Sequence, residues 1–363
     1  MTPRERQIMD LIKKNPRMSQ SEIAKCLEIK RSSVAAHIAN LTSKGYILGR
    51  GYLFREDPYV VVIGGANMDI RGIPKGQLKM KDSNPGFVQS SPGGVGRNIS
   101  ENLARLKNRV YMMCMLGDDQ WGRSIIEEGQ KVGLSYEKSY ILPGRQTPVY
   151  LEILDEKKDM LTAINDMALV DELDPDKVMN HRTFIENASY LVLDTNLPEE
   201  TLQYLLKNIP QKYIVDGVSS IKVEKIKDKL SHIHLLKVNE YEAAVLAGKN
   251  LTKQKDYLEA GKMLLDQGLE YLVITCGKEG AWGFHKGESL HLKGKDLVVK
   301  NATGAGDAFT GALAHALGEE KSLKESLYFA MGASRLALKS EKTNADELTV
   351  EKIEKEMKEV FVC

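Results

Sequence analysis

Cysteine is scarce in this chain: Cys26, Cys114, Cys276 and Cys363 are the only four among 363 residues, and no two share a C-x-x-C spacing. That excludes a disulfide framework and a zinc ribbon, and it suits a reducing compartment. No apolar run approaches the about 18 residues of a membrane span. The opening "MTPRERQIMD" is too polar for a signal peptide, so a cytoplasmic location is expected. Neither G-x-G-x-x-G nor G-x-x-x-x-G-K-[ST] occurs, which removes support for a dinucleotide fingerprint and a Walker loop. Internal repeats and low-complexity tracts are missing as well. Charge of one sign is not in excess, with 51 Lys/Arg against 50 Asp/Glu.

What is present is an ordinary globular composition, 42% hydrophobic and 28% charged, on a chain longer than one typical domain. The balanced total hides an asymmetry: residues 1–56 carry 11 Lys/Arg and 5 Asp/Glu, and the remainder 40 and 45. A small basic unit (1–56) on a mildly acidic body (57–363) is expected, joined by the "REDP" linker at 55–58. Within the basic unit Ile8, Met9, Leu11 and Ile12 recur at helical spacing, and Ser19 with Glu22 makes a capping-box pattern before a second helix. "KRSSVAAHIANLTSKG" reads as a third helix closed by Gly45, and "YILGRGYLF" as a hairpin. Three helices and a hairpin resemble a winged helix-turn-helix domain. The resemblance implies a third helix in the DNA major groove, presenting Lys30, Arg31, Ser32, Ser33, His37 and Asn40, with Arg50 at the wing tip on phosphate. A three-helix module for dimerisation or for packing on the body is the alternative.

From Tyr59 the pattern changes. Apolar runs "YVVVIGG", "RVYMMCML", "SYLVLD", "QKYIVDG", "HIHLLKV" and "YLVITCG" alternate with helical stretches at 97–107, 119–132, 199–208, 239–247 and 254–268. This order predicts an α/β fold: a mostly parallel sheet with helices on both faces and ligands beyond the C-terminal strand ends. Asp69, Asp194, Asp216 and Asn239 lie there. His232 and His234 read as ordinary residues alternating along a strand. Residues 72–91 and 147–166 break the alternation; the second is a hairpin about "DEKKD", and a small β lid over the site is expected.

The chemistry concentrates in "NATGAGDAFTGALAHAL", residues 301–317. Thr303, Gly304, Ala305 and Gly306 let the backbone turn sharply, and the free N–H groups of a first helical turn attract an anion. Asp307 beside them would accept a proton from an attacking hydroxyl, which describes a phosphoryl-transfer centre. A small-residue turn with Asp capping its own helix is the alternative. Elsewhere "GGVGRN" brings backbone close to a ligand through Gly93, Gly94 and Gly96, with Asn98 free to bond a hydroxyl. Asn239 and Glu242, three apart on a helix face, could hold Mg²⁺ through water.

T-G-A-G-D-A-F resembles the C-terminal signature of the ribokinase-like (PfkB) family of sugar and nucleoside kinases. "GGANMDI", "SPGGVGRNISENLARL", "VNEYEAA" and "ITCGKEGA" are similar to four further motifs of that family, in its order, over roughly residues 59–355. The resemblance implies a ribokinase-like doubly wound sheet with a β lid, ATP and Mg²⁺ as partners in phosphoryl transfer, and a lid that often meets its copy in a dimer, here through "VYLEIL". It implies that Asp69, helped by Asn67, grips two ribose hydroxyls, that Asn98 bonds the sugar, and that Thr275, Gly277 and Gly280 with Asn239 and Thr303 line the nucleotide phosphates. Catalysis falls to Asp307 and the Gly304, Ala305 and Gly306 amides.

One departure stands out: where the family carries Asp before the signature, this chain has Asn301, which bears on any K⁺ site built on that acid. The same Asn, "AINDM" and "DTNLPEET" resemble the pseudouridine kinase branch. That resemblance makes Asn165 and Asp166 candidates for the uracil edge, with Thr147 at the other end of the hairpin, since amide and carboxyl groups match its donors and acceptors. The expected activity is ATP-dependent phosphorylation of a 5′-hydroxyl, pseudouridine foremost. Kinases for ribose, inosine or fructose phosphate are alternatives, as is a ligand-sensing transcription regulator on a kinase scaffold. No cation beside Asp69 is expected to receive a phosphorylated acceptor.

Overall fold

The computed structural model describes residues 1–15, 18–47, 58–157 and 159–361. The chain divides into two compact units, Met1–Pro58 and Tyr59–Cys363. Most of the expected wing, with Arg50, and linker residues 55–57 lie outside the described residues.

In the first unit the helices are α1 (Pro3–Lys14), α2 (Gln20–Cys26) and α3 (Arg31–Ser43). Ser19 accepts from the Glu22 N–H, and the Glu22 carboxylate accepts from the Ser19 N–H at 2.6 Å, so the capping box forms. Gly45 takes φ +72° after α3, where the Tyr46 N–H reaches Leu41 O at 2.8 Å and stops the helix. Ile8, Ile12, Ile23, Val34 and Leu41 make a small core of their own. Lys30, Arg31, Ser32 and Asn40 are exposed on α3 and its cap, with Ser33 and His37 half-buried.

The second unit contains fourteen strands among the described residues. They are β1 (Val60–Ile63), β2 (Asn67–Pro74), β3 (Gly86–Gly93), β4 (Val110–Met113), β5 (Met115–Gly117), β6 (Tyr140–Leu142), β7 (Val149–Leu154), β8 (Met160–Asp166), β9 (Tyr190–Asp194), β10 (Tyr213–Asp216), β11 (Leu235–Asn239), β12 (Tyr271–Thr275), β13 (Ala281–His285) and β14 (Glu288–Leu292). The main sheet runs β14-β13-β12-β11-β10-β9-β1-β4. It is parallel from β12 to β4 and antiparallel at β13 and β14.

Its helices are α4 (Val95–Arg105), α5 (Gln120–Lys131), α6 (Pro175–Met179), α7 (Arg182–Glu186), α8 (Glu199–Asn208), α9 (Glu240–Ala247), α10 (Gln254–Leu265), α11 (Ala305–Gly318), α12 (Leu323–Lys339) and α13 (Val350–Phe361). Strand alternation divides the apolar residues between two layers. Val60 and Val62 join the core under α4, α11 and α12, and Val61 and Ile63 join the core under α8, α9 and α10. Among the described residues no helix is long and apolar enough to cross a membrane.

A second sheet, ordered β3-β2-β7-β8, forms the lid. It corrects three expectations. Asp69 does not lie in a loop beyond a parallel strand: it stands on β2 of the lid, which already begins at Asn67. "VYLEIL" is β7, paired on one side to β2 and on the other to β8, so its backbone offers no free edge to a second copy. His232 and His234 precede β11, His232 closing a short 3₁₀ turn, and the His234 ring meets Glu270 Oε2 at 2.8 Å.

Candidate active site

Helix α11 opens on Gly304 in the left-handed region, φ +81°, and a Cβ there would fall 2.3 Å from Thr343 O. Only glycine makes that turn without strain. No side chain caps the helix, and the Ala305 N–H reaches back to Ala302 O at 3.5 Å. Asp307 follows in the first turn, half-buried, and Asn98 Nδ2 donates to its Oδ2 at 2.8 Å. Asn98 is itself oriented, since its Oδ1 accepts from Arg97 Nη1 at 3.1 Å and Asn344 Nδ2 at 3.3 Å. Burial, and then the negative charge of Asp216, push the Asp307 carboxyl up to about 7, against the opposing Asn98 bond and Lys237 charge.

Lys237, which the sequence reading left unassigned, lies beside the turn. Its Nζ donates to Asp216 Oδ2 at 3.1 Å and lies 3.3 Å from where a Gly306 Cβ would stand. Burial opposes its charge, yet Asp216, Glu242 and Asp307 together hold the ammonium above its ordinary range. A fixed cation therefore sits under the glycine turn. The signal was visible in "LLKVN", a lone charge inside an apolar strand run. Asp216 also accepts from Thr310 Oγ1 at 2.6 Å, tying β10 to α11.

Asn239 and Glu242 do not share a helix face. Asn239 is the N-cap of α9, and Glu242 closes a capping box on it: the Asn239 N–H and Nδ2 donate to the Glu242 carboxylate at 2.9 and 2.6 Å. Burial raises the Glu242 carboxyl. Thr275 ends β12 opposite Asn239, and Gly277 and Gly280 bracket the short 3₁₀ turn that follows. These residues lie together at the C-terminal edge of the parallel strands.

On the lid, Asn67 Nδ2 donates to Asp69 Oδ1 at 2.6 Å, and a Cβ on Gly93 would meet Asp69 Oδ2 at 2.1 Å. Gly93 ends β3 opposite Asn67, and Gly94 starts α4, four residues before Asn98. The fold thus brings Asn67, Asp69, Gly93, Gly94 and Asn98 into one region, joined to the α11 turn through the Asn98–Asp307 bond. Burial pushes the Asp69 carboxyl up.

The expectation of no cation near Asp69 is overturned. Residues two apart on a strand share a face, so Arg71 stands beside Asp69, and Arg97 also contributes charge there. Both are paired, Arg71 with Glu152 and Arg97 with Glu101.

The remaining candidates scatter. Thr147 is buried; its hydroxyl donates to Asp119 Oδ1 at 2.7 Å and accepts from the Gly117 N–H at 3.1 Å, bonds that fix the start of α5. Asn165 and Asp166 are exposed on β8, on opposite faces of the lid. Asn165 shares a rung with Tyr150 and Asp69, whereas Asp166 aligns with Val149 and Met68.

Thr303 is exposed and receives Arg71 Nη2 at 3.0 Å. Asn301 accepts from the Thr303 N–H at Oδ1, 3.0 Å, and donates from Nδ2 to Glu341 O at 3.2 Å. The Asn301 amide is thus engaged within the protein at both its oxygen and its nitrogen. A cavity of about 560 Å³ opens alongside, reaching Arg71, Ser91, Arg97, Asn301 and Asn344 but neither Asp69 nor Asp307. Among the described residues no three His, Cys, Asp or Glu converge on a metal position.

Residues 57–350 match the model of the pfkB family carbohydrate kinases. The chain belongs to that family. It is a sugar or nucleoside kinase, a phosphotransferase with an alcohol acceptor. Pseudouridine kinase of Escherichia coli (strain K12) is 38% identical over 82% of this chain and 95% of its own. The uncharacterized sugar kinase YeiI of the same organism is 35% identical over 97% of this chain and 98% of its own. Arabidopsis thaliana ribokinase, solved with ribose and ATP, superposes with a TM-score of 0.74 at 23% identity, covering 84% of this chain and 99% of its own, a likeness that establishes the ribokinase-like fold alone. Residues 1–47 match a winged helix-turn-helix DNA-binding model, so the kinase unit carries that second domain ahead of it.

Proposed function

We propose that this kinase transfers the γ-phosphoryl group of ATP to the 5′-hydroxyl of a nucleoside, pseudouridine in particular. One observation carries the reading. Asp307, its carboxyl near 7, stands at the uncapped start of α11 beside Gly304, Ala305 and Gly306, with the Lys237 ammonium beneath them.

Asp307 takes the hydroxyl proton as the oxygen attacks, a role that suits a base poised near neutrality. The amides of the turn and Lys237 meet the charge that develops on the transferring group. Asp69 and Asn67 grip the ribose hydroxyls, with Gly93 and Gly94 giving the sugar access to the backbone. Asn98 holds Asp307 and contacts the sugar. Thr275, Gly277, Gly280 and Thr303 line the nucleotide phosphates. Mg²⁺, when bound with ATP, neutralises phosphate charge; Asn239, held by the Glu242 carboxylate, would bind its waters.

Asn165, on the Asp69 face, reads the uracil edge; Asp166 and Thr147 are weaker candidates by their geometry. Two cations near Asp69 that are both neutralised by partners leave none to receive a phosphorylated sugar, which favours an unphosphorylated acceptor.

The test is ATP consumption with pseudouridine, uridine, ribose, inosine and fructose 6-phosphate. Pseudouridine should give the highest kcat/KM, and Asn165→Ala should raise KM for it more than KM for ATP. Turnover of ribose or inosine in preference to pseudouridine refutes the acceptor. The N-terminal unit is proposed to bind DNA through Arg31, Ser32, Ser33 and His37. A regulator that senses the nucleoside without turnover is the second reading; its signature is nucleoside-dependent DNA binding by a protein that consumes no ATP.

A further inference from the structure

Arg71 joins the lid to the phosphoryl-binding turn. It stands on β2, on the same face of the lid sheet as Asp69, and pairs through Nε with the Glu152 carboxylate directly across on β7. Its other arm, Nη2, donates to Thr303 Oγ1 at 3.0 Å. Thr303 immediately precedes Gly304, and its own N–H is bound to Asn301 Oδ1, so the hydroxyl is presented from a fixed piece of backbone. Residues 232 apart in sequence are thereby bonded, one on the element that covers the acceptor and one on the element that receives phosphoryl charge.

The chemistry of the pair matters. Glu152 is directly opposite, fixes the guanidinium plane and offsets its charge. The planar fork of arginine can then serve two partners at once, which a lysine ammonium on a flexible stem does not reproduce. The bond to Thr303 is a single side-chain contact at a partly exposed position, with the Arg71 side chain 27% exposed. Such a bond contributes modestly and can open for each turnover.

Resting on the phosphotransfer reading above, we propose that Arg71 is a positioning residue that latches the lid to the Thr303–Gly304 turn. Seating of the lid over the acceptor and alignment of the Gly304–Gly306 amides then become one event. When the latch is lost the lid seats loosely, water reaches the transferring group, and alignment with the 5′-hydroxyl suffers.

The experiment compares the full chain with Arg71→Ala, Arg71→Lys and Thr303→Val by amide hydrogen exchange without ligands, and by steady-state kinetics. All three variants should speed exchange over residues 67–93 by several-fold, while Asp307→Asn leaves it unchanged. Arg71→Ala should lower kcat for acceptor phosphorylation by about tenfold to a hundredfold. Its KM for ATP should change little, and the share of ATP lost to water should rise. Arg71→Lys should not restore kcat. Combining Arg71→Ala with Thr303→Val should cost no more than the larger single effect, because both break one contact. Exchange at the parental rate in Arg71→Ala and Thr303→Val overturns the latch, whatever the enzyme phosphorylates. Faster exchange with parental kcat overturns the coupling to catalysis. Faster exchange in a protein whose parent phosphorylates no acceptor supports the latch and defeats the phosphotransfer reading instead.

Discussion

At the residue scale the site is governed by charge held away from water. Asp307 sits with its carboxyl raised to about 7 by burial and by Asp216. It works as a base only when deprotonated, so kcat/KM should rise with pH up to about 7 and level off above, falling about tenfold per unit below. A pH profile on the full chain checks this, and a profile flat from pH 5 to 8 would remove Asp307 from the base role. Asp307→Asn should lower kcat by about 10²–10⁴. Asn301 makes a second prediction. With its Nδ2 turned to Glu341 O, the turn is fastened by an amide rather than by an ion. Replacing K⁺ by tetramethylammonium should therefore leave activity within about twofold. Asn301→Asp removes the donor and should create sensitivity to K⁺.

At the element scale, short-range signals were faithful and pairing partners were not legible. Ser19 and Glu22 announced a capping box that forms. Asn239 and Glu242 have the same spacing, which is a cap pattern as much as a helix-face pattern, and their bonds decide for the cap. The lid shows the limit of local reading. β7 carries a strand pattern, but only the sheet order reveals that it is interior. On the lid face opposite the Asp69 side, Ile70, Leu151 and Ile164 align on one rung; Ile70 packs on the core and Leu151 is half-buried, while Ile164, and Val88 across from Gly72, stand open. Val88 is 78% and Ile164 65% exposed, unusual for such side chains. A second copy is proposed to cover this face. Light scattering should give a dimer for the parent and a monomer for the Val88→Glu, Ile164→Glu protein. A parent that is monomeric at high concentration refutes it.

At the scale of the chain, two units have separate cores and opposite net charge. The basic unit exposes Lys30, Arg31 and Ser32 at the start of its third helix. If phosphate contacts hold it to DNA, affinity should fall by more than about tenfold between 50 and 200 mM salt. Arg31→Ala should reduce the slope, and filter binding or fluorescence anisotropy reads both. Salt-insensitive binding would point to a protein partner instead.

The α/β class, several of the helices, the Ser19–Glu22 cap and the glycine turn before Asp307 were legible in the sequence, because each depends on neighbours within a few residues. That Lys237 lies under that turn, that Arg71 reaches Thr303, and that Asn165 shares a rung with Asp69 came from the fold alone. Those relations depend on which strands pair and on register, where a shift of one residue reverses the face a side chain occupies.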